Sequence, residues 1–237
     1  MKNQKTIILF TAHPDDHLLC AGTLMKLADK GFYIVEVVFT GGEKSVWYGK
    51  EKFKKEELKK QRMKEWILAR KFIGIKEGIG LGLKDSEFNR SLKTVYQVMK
   101  IIRKYKPLLV ITHYHNDYHR DHNEVSKIVT EAVDRAGWGV AKELGEPHKT
   151  PVFLYMDGEY LNRSDILVDV SDYLNKIEKL MEIYSSQMSE RMKNLLKAII
   201  TYRGFFMRTK AAESFELGFR TPLKFNNLDQ FLEIWKN

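Results

Sequence analysis

The chain reads as an α/β protein: a Rossmann-like, doubly wound, mostly parallel sheet with flanking helices, in a single domain over residues 1–237. Three observations predict this. Continuous apolar runs of strand length, such as TIILFTA at 6–12 and YIVEVVFT at 33–40, suit strands buried on both faces. These runs alternate with segments of helical periodicity, the pattern of a parallel sheet with crossover helices. No internal repeat, low-complexity tract or Pro/Gly/Ser-rich linker divides the 237 residues.

The elements follow in order. After the first strand, apolar residues from 18 to 30 recur at helical spacing, and Gly31 is the expected C-terminal stop. The second strand ends at Gly41-Gly42, completing a β-α-β unit. Residues 51–73 form a long charged helix, and GIGLGL at 78–83 is a short strand weakened by its glycines. A helix over 91–105 leads through Pro107 into the strand LLVITHYH, which a helix at 123–136 follows. PVFLYM (151–156) and ILVDV (166–170) are further short strands, and 171–212 reads as two helices before a mixed tail.

Composition narrows the function. Lys and Arg number 40 against 31 Asp and Glu, a formal charge of +9. In stretches such as KEKFKKEELKKQRMKE, however, the Lys is interleaved with Glu on what reads as a solvated helix face. A basic nucleic-acid-binding protein is therefore a weak alternative, because clustered Arg with exposed aromatics is not evident. The single Cys20 excludes an intrachain disulfide, suits a reducing compartment and is expected to pack in the core. The opening MKNQKTIILF is too short for a signal peptide, and no apolar run approaches the about 18 residues of a membrane span. The expectation is a cytoplasmic protein with no membrane or nucleic-acid partner.

Polar residues collect where strands end. The first strand runs into His13-Pro14-Asp15-Asp16-His17, and the strand near 108–112 runs into THYHNDYHRDH, with His113, His115, Asp117, His119, Asp121 and His122. In an open α/β sheet both loops lie on the carboxyl edge, where ligands bind. His13 and Asp16 are three apart, as are His119 and His122. His13, Asp16 and one of the second pair would make a His2Asp zinc site with water as the fourth ligand. Asp15, pointing elsewhere, would then be free to take a proton from that water. Taken alone, the first cluster could also be a polar turn in which Asp16 caps a helix.

AHPDD after one strand and HRDH after another resemble the LmbE-like, or PIG-L-like, zinc-dependent N-deacetylases. GTLMKLADKG, VVFTGGE, RMKEWILARKFIG, the Lys84-Asp85 turn, YSSQ, YRG and AAESF echo further family signatures along the chain. The resemblance implies one Zn2+ per chain, held by His13, Asp16 and His122. It implies Asp15 as general base and His119 as the group that polarises the substrate oxygen or protonates the leaving amine. Asp121 would orient His119, and Arg62 and Asp85 would lie near the substrate. Where the family often carries an acidic residue after the second aspartate, this chain has His17, a candidate substrate contact at the rim. The implied reaction removes the N-acetyl group of an N-acetylglucosamine-containing small molecule, and the resemblance implies a homo-oligomer, for which YRGFFM at 202–207 could serve as an interface. Trp47, Tyr48 and Tyr114 could stack on a sugar ring. A metallo-β-lactamase-like hydrolase is a poor second reading: His113, His115 and Asp117 begin its H-x-H-x-D-H pattern, but Tyr118 breaks it.

Overall fold

The computed structural model describes residues 5–45, 54–157 and 164–218. Seven strands form one sheet: β1 Thr6–Thr11, β2 Tyr33–Thr40, β3 Glu77–Leu83, β4 Leu109–His113, β5 Val152–Met156, β6 Ile166–Asp169 and β7 Ala212–Leu217. Their spatial order is β3-β2-β1-β4-β5-β7-β6. The first five run parallel, and β7 inserts antiparallel to both β5 and β6. The mixed tail of the sequence thus contributes a strand that the local pattern did not reveal: AESFEL acquires its place only from neighbours some sixty residues earlier.

Six helices cover the two faces: α1 Ala21–Asp29, α2 Lys55–Ile73, α3 Leu92–Tyr105, α4 Arg120–Ala136, α5 Leu174–Ile183 and α6 Glu190–Met207. Alternation along the strands sorts the core into two layers. Ile7 and Leu9 of β1 pack with α1, α2, α5 and α6, whereas Ile8 and Phe10 pack with α3 and α4. Gly31 stops α1 as expected. At φ +81° it lets its own amide reach the Ala28 carbonyl and the Phe32 amide reach that of Leu27, a Schellman closure. Cys20 is fully buried.

Two boundaries set the geometry of the carboxyl edge. The chain leaves the first strand loop as a 3-10 turn, Asp16–Cys20, before α1 begins at Ala21. The helix expected from 123 starts three residues earlier, at Arg120, so His122 lies in its first turn and His119 is its N-cap. The sheet order reverses between β1 and β4, which pair in register from Ile7–Leu109 to Leu9–Ile111. Their carboxyl ends therefore open side by side at a topological switch point.

Trp47 and Tyr48 lie outside the described residues. In 202–207, Arg203 and Gly204 are buried, while Tyr202, Phe205 and Phe206 are exposed. No helix among the described residues is long and apolar enough to cross a membrane.

Candidate metal centre and active site

Each loop is closed by its own hydrogen bonds before it meets the other. In the β1 loop, Asp16 Oδ2 accepts the His13 amide at 2.7 Å, which folds the loop back on itself. In the β4 loop, Asp117 Oδ1 accepts the His119 amide at 2.8 Å, the Asp117 amide donates to Asn123 Oδ1 at 3.0 Å, and the Asn123 side-chain amide donates to the Asp117 carbonyl. His119 Nδ1 accepts the Asp121 amide at 3.2 Å, capping α4.

The two loops then converge. His13 Nδ1 lies 3.5 Å and His122 Nε2 3.3 Å from the same oxygen, Asp16 Oδ1. Ligand atoms about 2.0–2.1 Å from a tetrahedral zinc stand roughly 3.4 Å apart. The two separations match the edges of such a tetrahedron. Among the described residues, three overlapping sets bring ligand atoms within 4.8 Å of one another: His13, His119 and His122; Asp16, His113 and His122; and His13, Asp85 and Asp121. His113 Nε2 is already engaged from two sides, by the Ala12 amide at 2.9 Å and by Asp16 Oδ2 at 3.0 Å. His13, Asp16 and His122, the trio that the sequence resemblance implies, each belong to one or more of these sets, and both imidazoles lie against Asp16 Oδ1. A divalent ion fits these donors.

The far end of each candidate ligand is also held, as metal ligands require. His122 Nδ1 meets Asp117 Oδ2 at 3.0 Å. His13 Nε2 lies 3.6 Å from both Asp85 Oδ1 and Asp121 Oδ2. Asp85 is fixed in turn by the Lys44 amide at 2.8 Å, and Asp121 by the Ser86 amide at 2.8 Å.

The electrostatics describe a cluster that demands positive charge. Burial alone would lower the His13 pKa, but Asp16, Asp121 and Asp85 override it and hold it well above the ordinary histidine value. Burial opposes the charged form of His122 too, yet Asp16 and Asp117 raise its pKa to about 9. Asp16 stays ionised against its burial because His122, His13 and His113 surround it. His113, enclosed and beside His122, is pushed down to about 4.

Asp15 stands apart from this set, as the divergence of neighbouring side chains leads one to expect. Its carboxylate pairs with the Arg62 guanidinium, whose other arm donates to the Gly42 carbonyl at 2.8 Å. Gly42 permits this approach: a Cβ built there would sit 2.1 Å from Arg62 Nη1, and its φ is +65°.

One site residue, His17, lies elsewhere than the sequence suggested, and the others take up specific neighbours. His17 is not at the rim; it is fully buried between Glu36 and Tyr184. The Asp121 carboxylate faces His13 and Ser86, and only its backbone amide touches His119. Arg62 grips Asp15, and Asp85 backs His13. Tyr114 sets its ring 4.4 Å from that of His115, tilted by 50°. Sequence reasoning placed Asp117 and His113 in the polar loop without giving either a part in the deacetylase reading. Spacing along the loop carries no signal for which carboxylate backs which imidazole.

Comparison with known proteins gives the family and the fold. Residues 8–133 match the family described as PIG-L: GlcNAc-PI de-N-acetylase. The diacetylchitobiose deacetylase of Thermococcus kodakarensis is 24% identical over 222 residues, 88% of this chain and 81% of that protein. Among solved structures, the N,N′-diacetylchitobiose deacetylase of Pyrococcus horikoshii superposes with a TM-score of 0.82 at 23% identity, covering 91% of this chain and 84% of that one. The 4-carboxy-2-hydroxymuconate hydratase GalB of Pseudomonas putida KT2440 superposes at 0.85 with 18% identity, covering 95% and 100%. The fold is thus shared by a hydratase and a deacetylase, and fold alone does not select the reaction.

Proposed function

We propose, from the premise that this chain belongs to the PIG-L family of GlcNAc-PI de-N-acetylases, that it is a zinc-dependent hydrolase releasing acetate from an N-acetylglucosamine-containing small molecule. The observation that carries this reading is the shared edge at Asp16 Oδ1, 3.3 Å from His122 and 3.5 Å from His13, with Asp15 beside it in the grip of Arg62. His13, Asp16 and His122 would hold one zinc. When bound, the ion supplies Lewis acidity to the acetyl carbonyl and acidifies a water at neutral pH.

The chain's own groups do the rest. Asp15, held by Arg62, receives the proton as the water oxygen adds to the carbonyl carbon. The His119 ring accepts the Asp121 amide at Nδ1, which leaves its proton on Nε2. That N–H is the donor for the developing oxyanion. When the C–N bond breaks, Asp15 returns its proton to the nitrogen, and the products are acetate and the free amino sugar. The similarity to the diacetylchitobiose deacetylase of Thermococcus kodakarensis favours an N-acetylglucosamine disaccharide as the first substrate to try. A lone buried thiol at Cys20 suits work in a reducing compartment, which we take to be the cytoplasm.

The test pairs metal analysis with acetate release from N,N′-diacetylchitobiose. Purified protein should carry about one zinc per chain. Asp15→Asn should keep that zinc and lose about 10³-fold in kcat. Full activity in Asp15→Asn would remove the base assignment; loss of zinc there would mean that Asp15 is a ligand.

A further inference from the structure

Two residues of this chain are anomalous where they stand. Glu36 is the one charged residue in the strand YIVEVVFT, and His17 occupies the position after the paired aspartates, where the resemblance leads one to expect an acid. The fold brings the two anomalies together. His17 Nδ1 lies 2.9 Å from Glu36 Oε1, and Trp66 Nε1–H donates to Glu36 Oε2 at 2.7 Å. On its other side His17 Nε2 lies 2.8 Å from the Tyr184 hydroxyl, which donates to the Pro14 carbonyl at 2.7 Å. His17, Glu36 and Tyr184 are all fully buried.

A buried polar chain of this kind is costly unless every member finds a partner, and here each does. The Tyr184 hydroxyl meets both the Pro14 carbonyl and His17 Nε2, His17 Nδ1 meets Glu36, and Glu36 takes His17 and Trp66 on separate oxygens. An acid at position 17 would set two carboxylates against each other, so the histidine belongs with Glu36.

The chain ends on the peptide between Pro14 and Asp15. We propose that Tyr184, His17 and Glu36 are positioning residues that fix this peptide and so aim the Asp15 carboxylate, an inference that rests on Asp15 being the base. Asp15 is then held from both ends: the backbone before it by Tyr184, the side chain by Arg62. None of the three touches the reacting atoms. They act at a distance, across α5, β2 and the 3-10 turn, on one degree of freedom of the β1 loop.

Tyr184→Phe removes one oxygen and keeps the ring in the core, so it tests the link without a cavity. With N,N′-diacetylchitobiose as substrate, the variant should keep its zinc content and melt within a few degrees of the parent. Its kcat should fall about 10–100-fold with KM within about twofold, the signature of a misaimed group. A readout without substrate or metal comes from amide exchange in the β1 loop. Leu18 N–H, bonded to the Asp15 carbonyl at 3.0 Å, should exchange at least about tenfold faster in Tyr184→Phe than in the parent. Unchanged kcat, or unchanged exchange at Leu18, overturns the inference; so does a loss of kcat that merely tracks lost zinc. Asp15→Asn separates this from the reading beneath it. If Asp15→Asn stays active, the base assignment fails. If Asp15→Asn is inactive while Tyr184→Phe is fully active, only the positioning role fails.

Discussion

The two ends of α4 bury charge in opposite ways. At the first turn, His119, Asp121 and His122 meet His13, Asp16 and Asp85, a group in which the carboxylates raise the pKa of His13 and His122 while burial lowers that of His119. At the last turn, Arg103 reaches from α3 to the carbonyls of Arg135, Ala136, Trp138, Val140, Ala141 and Gly145, at 2.7 to 3.4 Å, and is only 2% exposed. This guanidinium carries a fixed charge, complements the helix C-terminus and is satisfied wholly by the chain. Both ends are buried and polar. Where the chain's own carbonyls answer a buried charge, the result is architecture; where imidazoles and carboxylates from two loops converge, the result is the candidate metal site.

Breaking each end should give a different phenotype. The largest effect is expected from His122→Ala, which should abolish zinc binding and acetate release together while leaving a folded protein, read by metal analysis and circular dichroism. Arg103→Met should do the reverse. It orphans the carbonyls around the end of α4 and should cost about 4 kcal/mol by denaturant unfolding, with zinc stoichiometry unchanged. If Arg103→Met also lost zinc, the two ends would not be independent.

Smaller changes sharpen the contrast. Asp117→Asn keeps the shape of the support behind His122 but weakens it, and zinc affinity measured by chelator competition should fall about 10–100-fold. A third buried charge supplies a pH test. Glu213 accepts the Gly22 and Thr23 amides at 2.8 and 2.7 Å at the start of α1, yet burial raises its pKa to about 7. The folded chain therefore holds this proton more tightly than the unfolded chain. Below the ordinary glutamate value both are protonated; between there and about 7 the unfolded chain alone has released it, so stability falls as pH rises across that window and levels above it. The drop is on the order of 3 kcal/mol, and in Glu213→Gln it should flatten. A parent whose stability rose over that window more steeply than the Glu213→Gln variant would contradict the assignment.

The strands and most helices were legible because their signals are local. YIVEVVFT is the second strand end to end, and Gly31 stops the first helix where the periodicity fails. Strand β7 was not, since AESFEL has no pairing partner near it in sequence. The start of α4 was missed because His119 caps it with a ring nitrogen, which no capping rule for Ser, Thr, Asp or Asn anticipates. The site was half legible. Its residue types and its two loops could be read, but His17, placed at the rim, proved to be a buried partner of Glu36.

By itself, the sequence determined that two polar loops leave the ends of two apolar strands, because strand length and period are set by neighbouring residues. Only the tertiary structure decided which lone pairs meet. His13 lies about a hundred residues from His122, and the far side of each ring meets a carboxylate: Asp117 of the same loop behind His122, but Asp85 and Asp121 from other elements behind His13, as Tyr184 from another element stands behind the Pro14 carbonyl. Side-chain direction in a loop is decided by contacts distant in sequence, and those contacts exist only once the sheet has closed the gap.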